Sequence, residues 1–319
     1  MDLHVTNSAI PEFSWSFSRH SLFNHCRRAY FYRYYGAAGG RDVYSDEKKR
    51  FMYLFKHMKK TDTWLEETLR RSISSVLQKN RSSVGKDILE KHIYTESARR
   101  FFQGWNNVVA REWQSDPVKL NLFESYYAED ESSFLSSVEK LKIRLGNAIK
   151  YFTNSEIFEE LSSLDFLSWK LHSKPVAFNV SGVKVWAAPD LVWADKGRIF
   201  LLDIRLSRSG GQRDERTLNP VAINLLMANH TLRAVPSRII FRTAFLEALS
   251  GPGGIDSRGC DAVNVEELEK AVSESARAML SVLTPDGKAN EPDFPRRSGS
   301  PARDCVSCEY KLLCTDYPD

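Results

Sequence analysis

Residues 189–205 read PDLVWADKGRIFLLDIR. Apolar residues flank the turn-forming Asp195-Lys196-Gly197 segment, so the stretch reads as a β-hairpin. Pairing outward from that turn sets Asp190 opposite Asp203. Cβ atoms of such partners lie about 4.5–5.5 Å apart, and like charges placed there are destabilising. Solvent exposure would make the pair tolerable, and so would a cation between the carboxylates. The neighbours Leu191, Val192, Leu201 and Leu202 predict a buried hairpin, which favours the cation. Two carboxylates at this separation suit Mg²⁺ or Mn²⁺, which combine a few acidic ligands with water and substrate phosphate. Arg205 lies two residues beyond Asp203 and therefore on the same strand face, where a fixed positive charge can hold a phosphate or a developing negative charge.

Outward from this hairpin, VAFNV (176–180), Ser181-Gly182 and VKVWAA (183–188) read as a second, two-residue hairpin. RIIF from Arg238 reads as a further strand, preceded by a helix over about 219–232. Upstream, Thr63-Trp64-Leu65-Glu66 has the form of a capping box opening a helix, with Leu65, Leu69, Ile73 and Val76 at helical spacing. Phe134, Val138, Leu141, Leu145 and Ile149 mark another helix. Asn264 is placed to cap a late one carrying Leu268, Val272, Met279 and Leu283. The Pro-, Gly-, Ser- and Arg-rich segment from about 284 to 304 reads as a loop or strap. Helices, a meander of strands and helices again predict an α/β core wrapped by N- and C-terminal extensions.

The 319 residues, 42% hydrophobic and 27% charged, exclude a disordered or fibrous chain. No apolar run approaches the roughly 18 residues that span a bilayer, so no membrane association is expected. The opening MDLHVTNSAIPEF has no basic stretch followed by an apolar core, and a cytoplasmic protein is expected. A net charge of +4 is too small to identify a polyanionic partner by itself. In a reducing compartment the five cysteines point to core thiols or to a metal. Cys305-x2-Cys308-x5-Cys314 closes the chain, and Cys26 lies far upstream. Together these make a soft four-ligand set suited to an iron–sulfur cluster or to zinc, with Cys260 left over. The alternative is a buried Cys26 and a tail that binds nothing.

Pro189-Asp190, followed after twelve residues by Asp203-Ile204-Arg205, resembles the PD-(D/E)XK motif of the restriction-endonuclease-like nucleases. An early cysteine within FSWSFSRHSLFNHCRRAYFYRYYG, joined to C-x2-C-x5-C at the other end, resembles the iron–sulfur branch of the RecB-like nucleases, which includes AddB-type subunits and CRISPR-associated exonucleases. The resemblance implies a mixed central sheet flanked by helices. It also implies a [4Fe–4S] cluster on Cys26, Cys305, Cys308 and Cys314 that staples the chain ends, and a divalent metal on Asp190 and Asp203. Residues 1–319 would form a single nuclease-like domain. Its parts would be a cluster-binding segment and helical part (14–160), a nuclease core (170–250), and a C-terminal helix with a cysteine strap (260–319).

Three positions depart from the family pattern. Arg205 stands where the family has lysine, and arginine cannot give up a proton near neutral pH. TWLEETLRRSI places Arg70 where a metal-liganding histidine is expected; His57 and His92 are nearby but lie outside that context. LNPVAINLLMANHTL places Pro220 and Asn224 at a Q-x3-Y motif that contacts DNA. Two outcomes follow. One is an active Mg²⁺- or Mn²⁺-dependent deoxyribonuclease in which Arg70 and Arg205 act on phosphate. The other is a non-cleaving subunit of a DNA repair or defence complex, in which an arginine pairs with Asp190 or Asp203 and neutralises it without a metal.

Local charge supports DNA, as single strands or ends, better than the net charge does. From Arg19 to Arg41 there are five arginines and no acid, interleaved with aromatic residues. Several aromatics recur at helical spacing and read as core, leaving Arg27, Arg28 and Arg33 as DNA candidates. Arg208 and Arg213, beside Gly210-Gly211, form a second basic segment that reads equally as a loop tracking a strand or as a solvated loop. No G-x4-G-K-[ST] is present, so any motor belongs to a separate helicase or other complex subunit.

Overall fold

In the computed structural model the described residues are 13–79, 85–164, 175–207, 218–247, 254–297 and 305–316. The chain opens with β1 (Trp15–Ser16), α1 (Phe17–His25) and α2 (Arg27–Phe31), then a π-helical turn over Tyr32–Gly36. Next come α3 (Glu47–His57), β2 (Met58–Lys59), α4 (Thr61–Lys79) and α5 (Lys86–Val109). After β3 (Asn121–Leu122) the chain runs through α6 (Phe123–Tyr126), α7 (Glu131–Ser136), α8 (Val138–Thr153) and α9 (Glu156–Ser163). Two hairpins follow, β4 (Val176–Val180) with β5 (Val183–Ala187), and β6 (Leu191–Asp195) with β7 (Arg198–Arg205). Then come α10 (Pro220–Leu232), β8 (Ile239–Phe245), β9 (Gly254–Gly259), α11 (Val265–Leu280) and α12 (Lys311–Asp316). Among the described residues no helix is long and apolar enough to cross a membrane.

Both expected hairpins form, each closed by two residues with positive φ. Ser181 and Gly182 lie at 49° and 84°, and Lys196 and Gly197 at 45° and 76°. That pair of left-handed conformations matches the strand twist. In the second hairpin Leu191 pairs with Leu202 and Asp195 with Arg198, and the Asp190 amide donates to the Leu202 carbonyl at 3.0 Å. The strand order β6-β7-β8-β9 makes a mixed sheet, in which β7 and β8 are parallel and the outer pairs antiparallel. α10 bridges the parallel pair, started by Asn219, whose side chain accepts from the Ala222 amide at 3.0 Å, with Pro220 in the first turn.

Side-chain alternation on this sheet separates two cores. Val192, Leu201 and Phe241 pack with the N-terminal aromatics, α10, α11 and the tail. Leu191, Trp193, Phe200 and Leu202 pack instead with α4, α5, α8 and α9. The fold is thus mixed α/β, with helices against mixed sheets.

Two helices differ from their sequence reading. α4 starts at Thr61, not after Thr63, because the Glu124 carboxylate accepts from the Thr61 amide (2.9 Å) and hydroxyl (2.7 Å) and caps it from outside. The apolar pattern from Phe134 to Ile149 is split at Ser137 into α7 and α8. β9 and α5 have no counterpart in the sequence reading.

The segment after α11 is a strap across the N-terminal aromatics. Its hub is Glu291, which accepts from Arg28 Nη1 (2.8 Å), Tyr32 Oη (3.2 Å) and Lys48 Nζ (2.8 Å). Arg28 Nε also donates to the Phe294 carbonyl at 2.8 Å. Phe294 and Tyr310 are buried against Tyr30, Phe31 and Tyr32.

Candidate functional site

The register of the second hairpin puts Asp190 and Asp203 side by side on one face, and both are buried, at 6% and 3% exposure. Desolvation on this scale favours neutral or paired carboxyls. Burial pushes the Asp190 carboxyl well above the ordinary carboxylate range; Arg70 opposes it, Asp203 adds to it, and the Ile204 amide opposes it. Arg70, on α4, reaches across and donates from Nε to Asp190 Oδ1 at 2.6 Å. The second Asp190 oxygen accepts the Ile204 amide at 2.7 Å. Arg205 Nε donates to Asp203 Oδ2 at 2.8 Å and its Nη1 to Glu66 Oε1 at 3.3 Å. Glu66 also accepts the Leu206 amide at 2.8 Å. The result is a chain of alternating charge, Arg70–Asp190 and Asp203–Arg205–Glu66, that links α4 to the end of β7.

Sequence reasoning assembled four of these residues and missed the fifth. Glu66 stands in a capping-box pattern, which explains its acidity locally, so nothing in the sequence marks it as a partner of Arg205. The shift of the helix start to Thr61 releases it from that role.

A divalent ion does not fit between Asp190 and Asp203 in this arrangement. Three of their four oxygens already accept hydrogen bonds, two of them from guanidinium groups. The guanidinium charges also repel a cation. Among the described residues no group of three or more His, Cys, Asp or Glu side chains is arranged to hold a metal.

Arg70 is the shared wall of three cavities. One, of about 280 Å³, includes Asp203 and Arg205 and is closed by Pro220, Ile223 and Asn224 of α10. A second, of about 490 Å³, lies on the Asp190 side with Arg71 and Arg100. The third and largest, about 880 Å³, runs along α3, β2, α4 and α5 to Glu309 in the tail. Pro220 and Asn224 thus line the cavity that holds Asp203 and Arg205.

Of the arginines singled out for DNA, Arg33 lines the large cleft. Arg27 is exposed, its guanidinium 5.0 Å from the Phe23 ring centroid. Arg28 is corrected to a structural role. It is 1% exposed and holds the strap through Glu291 and Phe294, so it does not face a ligand. Arg208 and Arg213 lie outside the described residues. His57 lines the large cleft, and His92 is exposed on α5.

The cysteines divide. Cys26 ends α1, Cys314 lies on α12, and Cys308 follows Cys305 in a turn whose Cys308 amide donates to the Cys305 carbonyl at 3.2 Å. Cys26, Cys308 and Cys314 pack against one core. Burial, the largest cause, pushes the Cys308 thiol up to about 12, and Cys26 and Cys314 add to the shift. Cys305 is exposed and Cys260 is buried elsewhere in the same core, while no disulfide joins any of the five. Cys26, Cys308 and Cys314 lie in one neighbourhood and are soft donors, but among the described residues they do not form a group arranged to hold a metal, and Cys305 is exposed. Comparison of the chain with protein-family models, with curated proteins and with solved structures finds no match.

Proposed function

We propose that the chain is a nuclease-like protein of the RecB-like PD-(D/E)XK type that binds nucleic acid without cutting it. The observation that carries this reading is the pairing of Arg70 with Asp190 and of Arg205 with Asp203, at 2.6 and 2.8 Å. Where the family pattern has a histidine and a lysine beside two metal-binding acids, this chain has two permanent cations. They satisfy the acids internally, and neither arginine can give up a proton near neutral pH to activate water. Support for the nuclease-like core comes from the mixed sheet, from the opposed acids on its hairpin, and from α10 facing them through Pro220 and Asn224.

Cys26, Cys305, Cys308 and Cys314 would hold a [4Fe–4S] cluster that supplies a structural link and takes no part in chemistry. Its place would be where the strap already meets the N-terminal aromatics. The binding function would serve a nucleic-acid-processing complex whose motor and cutting activity belong to other subunits.

The test pairs binding with cleavage. Wild-type protein is expected to shift labelled single-stranded DNA or RNA in a salt-dependent way. The strand should remain full length in Mg²⁺ or Mn²⁺. Shortened products that disappear in Asp190→Ala would establish the active-nuclease reading instead.

A further inference from the structure

The large cleft is not needed to explain the paired carboxylates, and its lining has a charge pattern of its own. Seven Lys and Arg side chains face three carboxylates there. Part of that charge is locally matched. Lys59 and Arg71 both pair with Glu67, Arg100 pairs with Glu96, and Arg70 holds Asp190. Arg33, Lys56 and Lys60 remain, and among the described residues none of the three has an acidic side chain within ion-pair distance.

Burial opposes the Arg33 charge, but Tyr310, Tyr34 and Glu309 more than offset it; the charge around Lys56 and His57 is not balanced in the same way. Burial, then the charges of Arg33 and Arg19, pull the Lys56 ammonium below its ordinary value. Burial, then Lys56, Arg33 and Lys59, do the same to the neighbouring His57. In addition, His57 Nε2 is shielded from solvent and has no hydrogen-bond partner among the described residues. An unsatisfied polar atom beside Lys56, in a wall where cations outnumber carboxylates seven to three, suits an anionic partner.

The cleft floor is built for close approach. A Cβ on Gly104 would lie 2.8 Å from Trp64 Nε1 and 3.1 Å from Leu120 Cδ2, so only glycine fits the α5 backbone there. Trp64 itself is 5% exposed and stacked on Phe101, and so offers no free ring to a base.

We propose that the cleft between α3–β2 and α4–α5 is the track for the sugar–phosphate backbone of a single nucleic-acid strand. Successive phosphates would lie on Arg33, Lys56 and Lys60. This rests on the nucleic-acid-binding reading above and adds where the strand lies and how it is read. Phosphates are held by point charges, and among the described residues that line the cleft no exposed aromatic ring of Phe, Tyr or Trp offers a platform, so affinity is electrostatic and indifferent to base sequence.

The experiment is fluorescence anisotropy of a labelled twenty-nucleotide oligo-dT strand against the full chain over a salt series. The double variant Lys56→Glu/Lys60→Glu is compared with Lys140→Glu/Lys270→Glu, which makes the same charge change at exposed positions outside the cleft. The cleft variant is expected to bind roughly ten-fold or more weakly. The milder Lys56→Ala/Lys60→Ala should lower the slope of log K against log salt by about 1.4, because each phosphate left without its lysine removes about 0.7. The alanine variant answers the question if charge reversal impairs folding. The control should bind like wild type. If wild type binds and both cleft variants bind equally well, the track is overturned and the nucleic-acid-binding reading stands. If wild type binds no oligonucleotide at all, both fall. A mixed-sequence strand that binds much more tightly than oligo-dT would overturn the sequence-indifferent backbone mode.

Discussion

Replacing Arg70 with alanine removes the guanidinium that neutralises a nearly buried carboxylate. Taking one partner from a buried ion pair costs about 3–5 kcal/mol, because the other charge stays buried without compensation. Here the low end applies. Arg70 is 28% exposed, which admits water, and the Ile204 amide remains on Asp190 at 2.7 Å. An expected loss of about 3 kcal/mol, with an unfolding entropy of about 2.1 cal/mol/K per residue, lowers Tm by about 4 °C for a chain of 319 residues. Two further arms separate the charge effect from simple truncation. Arg70→Ala/Asp190→Asn removes both charges and should recover most of the loss, giving a non-additive cycle. With Arg70 absent, the paired acids become available to a divalent ion, and Mn²⁺ at a hundred times its Kd should return about 2.7 kcal/mol. Thermal melts of wild type and the two variants, with and without Mn²⁺, measure all of this. An Arg70→Ala protein as stable as wild type would refute the reasoning, and so would a wild type already stabilised by Mn²⁺.

Three other outcomes follow from the same contacts. Glu291→Ala strands the buried Arg28 and should cost about 3–5 kcal/mol. It should also speed tryptic cutting within the strap, read by limited proteolysis and mass spectrometry; an unchanged strap would show that Glu291 does not anchor it. Anaerobically purified protein should be brown and carry about four iron and four sulfide per chain, a signature lost in Cys308→Ser. Stoichiometric zinc in a colourless protein would replace the cluster with a zinc centre. Hydrogen bonding by Arg99 first, then the Arg100 and Arg99 charges, hold Glu96 down at about 2. A carboxyl depressed in the folded state contributes stability above its unfolded value near pH 4.5 and loses it as pH falls towards 2. The Tm gap between wild type and Glu96→Gln should therefore be open at about pH 6, narrow below about pH 4.5 and close only as pH falls below about 2.

The hairpin was legible because its information is local. Lys196-Gly197 forces the turn, the alternation of Leu191 to Leu202 sets the register, and together they bring Asp190 beside Asp203. The placement of Arg70 was legible only through a motif alignment, since no local pattern says which turn of α4 faces β6. Glu66 was hidden because the capping-box reading accounts for its acidity. The same ambiguity, reversed, affected Arg28. Read beside four other arginines and no acid it suggests DNA, but its acid is Glu291, distant in sequence and close in space. The large cleft was invisible for a related reason. Arg33, Lys56 and Lys60 come from separate elements, and only packing brings their charges together.

The proposal that Arg70 and Arg205 pair off Asp190 and Asp203 internally, so that the protein binds nucleic acid without cutting it, meets its most direct test in one gel. Labelled single-stranded DNA is incubated with excess wild-type protein in Mg²⁺ and in Mn²⁺, and the strand length is followed over hours at a salt concentration where binding is saturated. The account predicts a fully bound strand of unchanged length at every time point. Progressive shortening by wild type, absent in Asp190→Ala, would contradict it.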